Sequence, residues 1–194
     1  MKTILTLLAL FPLSSYALRA GLSAEDLEKL RQGGEIQRVE ELKGEVFPRV
    51  TLIHLIPHTP HQNMKVFTEF ENHKKFIPGL VKSEVVKTQG NATDVAFEMD
   101  LPIVKNSRYT TRNTVVYEGK DAILTWDLVK SEEVKKTKGM VMFEEFEGKT
   151  LFTYVTHITP DSSFAWAVKS RVVPDVKKNI DAVMKYLEKK AGTN

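Results

Sequence analysis

The chain has 194 residues, 42% hydrophobic and 27% charged, with a formal net charge of +3 and no cysteine. That length and balance suit one folded domain with a sizeable core and exclude a disordered or collagen-like chain. The charge is too weak to point to nucleic acid, and without cysteine there is no disulfide, thiolate nucleophile or zinc–thiolate site.

At the start, Lys2 precedes a mostly apolar run from Ile4 to Leu13 and small residues at Ser15-Tyr16-Ala17. The pattern predicts a secretory signal peptide over 1–17, cleaved after Ala17, with Ala20 a second candidate site. The run is well short of the roughly 20 residues that cross a bilayer, and no later stretch is long and apolar enough. Amino-terminal lipidation would need a cysteine. The expected product is therefore free in the periplasm or secreted.

Residues 18–45 read as a helix–strand extension. Ser23 and Asp26 form a cap pair for a helix near 23–32, Gly33-Gly34 ends it, and Glu35 to Leu42 reads as a short strand. The main domain, 46–194, opens with a strand over 50–56. Thr59 is a helix cap, with Pro60 at the first helical position and Gln62 completing the box. A helix near 60–70 and a second near 71–77 follow, stopping at Ile77-Pro78-Gly79.

From residue 80 the period falls to two. Strands are expected over 81–88, 93–101, 107–117, 122–130, 138–146 and 149–158. The short links between them imply antiparallel neighbours. A long amphipathic helix should then run over 162–190, with Val168, Val172, Val176, Ile180, Val183 and Leu187 at helical spacing. Pro174 either kinks it or starts its longer part.

A sheet with one apolar face needs a cover, and the long helix can provide it. The fold class is therefore α+β: a curved antiparallel sheet wrapped around a C-terminal helix, with two short helices after the first main strand. The passage from Thr59-Pro60 through Phe70-Glu71-Asn72-His73-Lys74-Lys75-Phe76-Ile77-Pro78-Gly79-Leu80-Val81-Lys82-Ser83 resembles the helix-to-second-strand region of the START-like (SRPBCC, helix-grip) superfamily. Leu124-Thr125-Trp126-Asp127-Leu128 and Lys138-Gly139-Met140-Val141-Met142-Phe143 resemble two later strands. Phe164-Ala165-Trp166 followed by Val173-Pro174-Asp175-Val176 resembles the start of the closing helix. The lead-in from Leu22-Ser23-Ala24-Glu25 to Gly34-Glu35-Ile36 is similar to the extension of exported bacterial members. The resemblance spans about 22–190 and reaches polyketide cyclase/dehydrase, lipid-transport and coenzyme Q-binding relatives. Its motifs are structural, so they speak to fold more than to ligand.

The resemblance implies an internal cavity. Apolar and aromatic side chains from most elements are the candidate lining: Phe67, Phe76, Phe97, Met99, Leu101, Trp126, Met142, Tyr154, Phe164 and Trp166. An ordinary filled core would use many of the same residues. Tyr109, Thr111 and Asn113 share one strand face, with Arg108 and Arg112 on the other. If the tyrosine face is inward, Tyr109 and Asn113 join the lining; a one-residue shift in register puts the arginines there instead. By resemblance, Ile77, Pro78, Gly79 and Leu80, with the helix start near Phe164–Trp166, form a gate.

Other constellations are weaker. His58 and His61 lack a third ligand, and a structural role is expected for His54 and His157, so no metal is expected. Glu98 and Asp100 share a strand face, but an outer, solvated one. Asn91-Ala92-Thr93 reads as a turn asparagine rather than a glycosylation site. No phosphate loop or nucleophile elbow is present. Catalytic residues and cofactors are therefore expected to be absent.

The function expected is binding or transport of a hydrophobic small molecule: a lipid, sterol, isoprenoid or quinone. A cyclase- or aromatase-like enzyme and an envelope interaction module are the alternatives on the same fold. A monomer is expected. Lysine clusters at Lys74-Lys75, Lys135-Lys136-Lys138 and Lys177 to Lys190 make transient contact with a membrane surface a candidate interaction.

Overall fold

A computed structural model describes residues 21–100, 107–131, 133–160 and 165–192. The predicted signal segment, Leu101 and Phe164 lie outside the described residues. Helix α1 (Ala24–Arg31) leads into β1 (Ile36–Glu40) and β2 (Arg49–Ile56). Helix α2 (Pro60–Phe67) and a 3-10 helix (Phe70–Lys75) follow. Then come β3 (Leu80–Gln89), β4 (Ala92–Met99), β5 (Ser107–Glu118), β6 (Asp121–Ser131), β7 (Val134–Phe146) and β8 (Lys149–Pro160). Helix α3 (Ala165–Lys190) closes the fold. The strands form one curved antiparallel sheet in the order β1-β2-β8-β7-β6-β5-β4-β3.

Local chemistry explains most boundaries. Ser23 and Asp26 form a reciprocal capping box on α1, as Thr59 and Gln62 do on α2. α2 ends at Phe67, earlier than expected: the Thr68 amide still donates to the Met64 carbonyl (2.9 Å), but the Glu69 amide turns to the Val66 carbonyl (3.2 Å), three residues back, and the α-helical ladder stops there. The second predicted helix is a 3-10 turn. β7 begins at Val134 rather than Lys138 because its first residues pair with Thr159 and Pro160, a partner invisible in local alternation. The β7–β8 turn sets Glu147 (φ 52) and Gly148 (φ 76) in the left-handed region, the geometry that two-residue hairpins need.

α3 is one helix through Pro174. Pro174 and Ser170, one turn earlier, are both exposed, so the carbonyl that loses its helical N–H partner faces water.

Alternation divides the strands into two faces. The inner face carries Val50, Leu52 and Ile56 of β2, Val95 of β4, Leu124 of β6, Val141 and Phe143 of β7, and Phe152 of β8. These pack with Met64, Ile180, Val183, Leu187 and Ala191. On the outer face a smaller cluster of Leu30, Ile36, Ile53 and Leu151 joins α1 and β1 to the sheet. Arg31 clasps Glu147 of the β7–β8 turn through two hydrogen bonds of 2.6 and 3.1 Å.

Candidate ligand cavity

The space between the sheet and the first two-thirds of α3 is not filled. Two neighbouring chambers occupy it. The central chamber, about 160 Å³, lies over the middle of β5, β6 and β8. The end chamber, about 280 Å³, lies under the first turns of α3, where β4, β5, β7 and β8 terminate. They share walls at Met99, Tyr109, Tyr154, Thr156, Ile158 and Asn179.

Pairing in the sheet settles which face of β5 is inward. Arg108 and Arg112 point outward, where each forms a two-pronged pair, Arg108 with Glu98 (3.0 and 3.2 Å) and Arg112 with Asp94 (2.8 Å twice). The Arg112 hydrogen bonds hold the Asp94 carboxyl below its usual value. Tyr109, Thr111 and Asn113 therefore line the central chamber. Asn113 donates to the Thr93 carbonyl and to the carbonyl and hydroxyl of Thr111, which fixes its amide.

Among the candidate residues, Phe67, Phe97, Met99, Tyr109, Asn113, Trp126 and Tyr154 border a chamber. Two ring pairs stand on these walls: Phe97 and Tyr109 have centroids 5.5 Å apart, and Trp126 and Tyr154 5.4 Å. Trp126 has its seat at Gly139, its partner on β7. A Cβ at Gly139 would stand 2.3 Å from the indole Cζ2 and 2.2 Å from the Val155 carbonyl oxygen, so any side chain there would displace the ring or the backbone.

Three candidates sit elsewhere. Met142 is buried on the outer face, paired with Ile123 and Thr153, because alternation sends its neighbours Val141 and Phe143 inward. Phe76 stacks on Tyr186 of α3 at 4.1 Å and borders neither chamber. Trp166 is 69% exposed. In the predicted gate, Ile77 and Leu80 border the central chamber, while Pro78 and Gly79 form the turn behind them. The Asp100 amide donates to the Gly79 carbonyl at 2.7 Å and ties that turn to the end of β4.

The two chambers differ in charge. No Asp, Glu, Lys or Arg borders the central chamber among the described residues, whereas the end chamber carries Glu133, Arg171 and Asp175. Burial pushes the Tyr154 hydroxyl up to about 12, and the Tyr109 hydroxyl is pushed up as well. Both phenols therefore stay protonated at neutral pH, able to donate and accept hydrogen bonds but not to act as bases. His73 stands among Phe67, Phe70 and Phe76, with ring centroids 5.5–5.6 Å away. Its burial holds the imidazole below its ordinary value, and its Nε2 bonds the Phe67 carbonyl at 2.8 Å.

The other histidines border neither chamber. His54 lies beside Glu35, 3.8 Å from Nε2 to the carboxylate, with Lys177 paired to the same glutamate. His157 lies on the outer side, 3.8 Å from Glu45. Burial lowers both imidazoles. His58 contacts the Glu188 carbonyl, whereas His61 packs edge-on against Tyr117. Among the described residues no group of three His, Asp or Glu side chains could hold a metal, and no helix is long and apolar enough to cross a membrane.

Sequence reading did not select Thr137, Asn179, His73 or Phe47 as lining residues, yet each borders a chamber. Asn179 carried a signal: it is a polar residue within the apolar stripe that runs from Val172 through Val176 to Val183.

No family model and no curated protein matches the sequence. Solved structures match the fold. A STAR-related lipid transfer protein from Xanthomonas axonopodis (fragment 25–204) aligns with a TM-score of 0.72 at 15% identity, covering 79% of this chain and 93% of the other. Human STARD10 aligns at 0.65 and 16%, covering 89% and 84%. The Zhui aromatase/cyclase from a Streptomyces species aligns at 0.62 and 10%, covering 74% and 93%. At such identities the likeness establishes the fold.

Proposed function

Starting from the helix-grip, START-like fold of this chain, we propose that it binds and carries a hydrophobic small molecule, of the lipid, sterol, isoprenoid or quinone class, in the periplasm. The observation that carries the reading is the pair of adjoining chambers between α3 and the sheet, walled mainly by apolar and aromatic side chains. Each methylene moved from water into such a space contributes about 0.8 kcal/mol, so affinity needs few polar contacts. Export rests on the composition of residues 1–17.

Loading takes place at the end chamber, beneath the first turns of α3. There Trp166 is exposed, an aromatic ring placed to make transient contact with a membrane surface, beside Lys169, whose ammonium is paired with Glu41 at 2.9 Å.

The test is titration with the uncharged dye N-phenyl-1-naphthylamine. The expected result is uptake of one dye per chain, weakened at least tenfold in Val172→Trp, which fills the end chamber, with thermal stability retained. Trp166→Ala should slow dye exchange with anionic vesicles without changing affinity. No uptake, or uptake indifferent to Val172→Trp, would overturn the reading.

A further inference from the structure

The wall of the end chamber beside β8 is built differently from the rest. β8 runs on to Pro160, but its partner β2 begins at Arg49, and the pairing between them ends at Val50 with Thr156. Among the described residues, 157–160 therefore have β7 on one side and no strand on the other. The loop between β1 and β2, residues 41–48, takes that place. Its Glu45 carboxylate accepts from the Thr159 hydroxyl at 2.7 Å, and the His157 ring is hydrogen-bonded to the Phe47 backbone. The Phe47 side chain is buried and borders the end chamber together with Thr156, Ile158 and Pro160.

The base of this loop is pinned and its body is not. Glu40 and Arg49, immediately outside it, are paired in register and joined by an ion pair of 2.9 Å. Within the loop, among the described residues, the backbone makes one hydrogen bond to backbone, from the Glu45 amide to the Leu42 carbonyl. That bond closes a turn inside the loop, with Gly44 at φ 81 in the position that needs a glycine. Towards α3, the fastening is one ion pair, Glu41 with Lys169 at 2.9 Å. Exposed ion pairs and single side-chain hydrogen bonds are weak beside a strand ladder, so a segment held this way opens locally while the sheet stays intact.

Resting on the carrier reading above, we infer that loop 41–48 is the lid through which the ligand passes. Phe47 is its plug, Glu41 and Glu45 are its latches, and the Glu40–Arg49 base is its hinge line. Releasing the latches lifts Phe47 from between α3 and the free edge of β8 and opens the end chamber to solvent from the side.

The test reads rates beside affinity, by stopped-flow uptake and release of the naphthylamine dye. Neither latch glutamate lines a chamber, so in Glu41→Ala/Glu45→Ala the dissociation constant should stay within twofold while both rates rise at least threefold. The opposite change uses the absence of cysteine from the chain. Glu45→Cys/Thr159→Cys offers two thiols to a short bismaleimide linker with an internal disulfide, which ties the loop to β8 and leaves α3 free. Bridging should slow uptake at least tenfold, and reduction of the linker should restore the rate. Uptake as fast in the bridged protein as before bridging would overturn the lid and leave the carrier reading standing. So would latch-variant rates that do not rise. If the unaltered protein takes up no dye, the carrier reading fails and the lid falls with it.

Discussion

At His73, burial and hydrogen bonding act in opposite directions, and burial dominates. The imidazole is held below its ordinary value of 6.5, as are those of His54 and His157. The native protein therefore binds fewer protons than the unfolded chain once the pH falls below about 6.5, the unperturbed histidine value. The stability linked to these groups is fully present above that pH and is lost as pH falls towards the folded-state values. Asp94, also held low, loses its contribution only in the acid carboxylate range, below this window. Urea unfolding should show stability falling by about 1 kcal/mol or more between pH 7.5 and pH 5, a loss that His73→Gln reduces. An unchanged urea midpoint would contradict this assignment. Histidine environments of this kind are poorly legible in sequence. The aromatic cage around residue 73 combines neighbours on the 3-10 helix with Phe67 from α2, and nothing in local spacing announces the distance to each ring.

Elements were more legible than residues where one physical rule decides them. The capping boxes at Ser23 and Thr59 and the alternation in β4 stand in the sequence as they stand in the structure. The rule fails where a distant partner decides, as at the start of β7, or where the backbone tightens to a three-residue bond and ends a helix early, as after Thr68. Register was the deeper gap. Met142 and Trp126 look equally apolar in sequence, yet pairing sends Trp126 to the cavity and Met142 to the outer face. The outer face leads to an expectation for the extension formed by α1 and β1. Leu30 is 1% exposed and anchors that cluster, so Leu30→Ala should destabilise the protein by about 2–5 kcal/mol. Because the cavity lies on the other face of the sheet, dye affinity measured under native conditions should stay within twofold. A large loss of affinity with stability unchanged would show that the extension serves the cavity directly.

Over the whole molecule, the inner side of the sheet is packed solid at one end and hollow towards the other. Near α2 and the last turns of α3, Met64, Phe143, Phe152 and Leu187 close the core. Towards the first turns of α3 the side chains stop short of meeting, and the two chambers remain. The order of elements, a single long helix after a run of antiparallel strands, made the grip legible before its geometry was known. The hollow was not legible in the same way, because a filled core and a lined cavity draw on the same valines and aromatics. Its polar groups, Thr137 and Asn179, emerged only once strands and helix were set against each other.

The most direct test of the central claim is native mass spectrometry of the protein purified from its own cells without detergent, followed by organic extraction of whatever it carries. The account predicts one hydrophobic adduct per chain, released on unfolding and absent from Val172→Trp. A protein that arrives empty and takes up no lipid, alkylphenol or dye on incubation would contradict it.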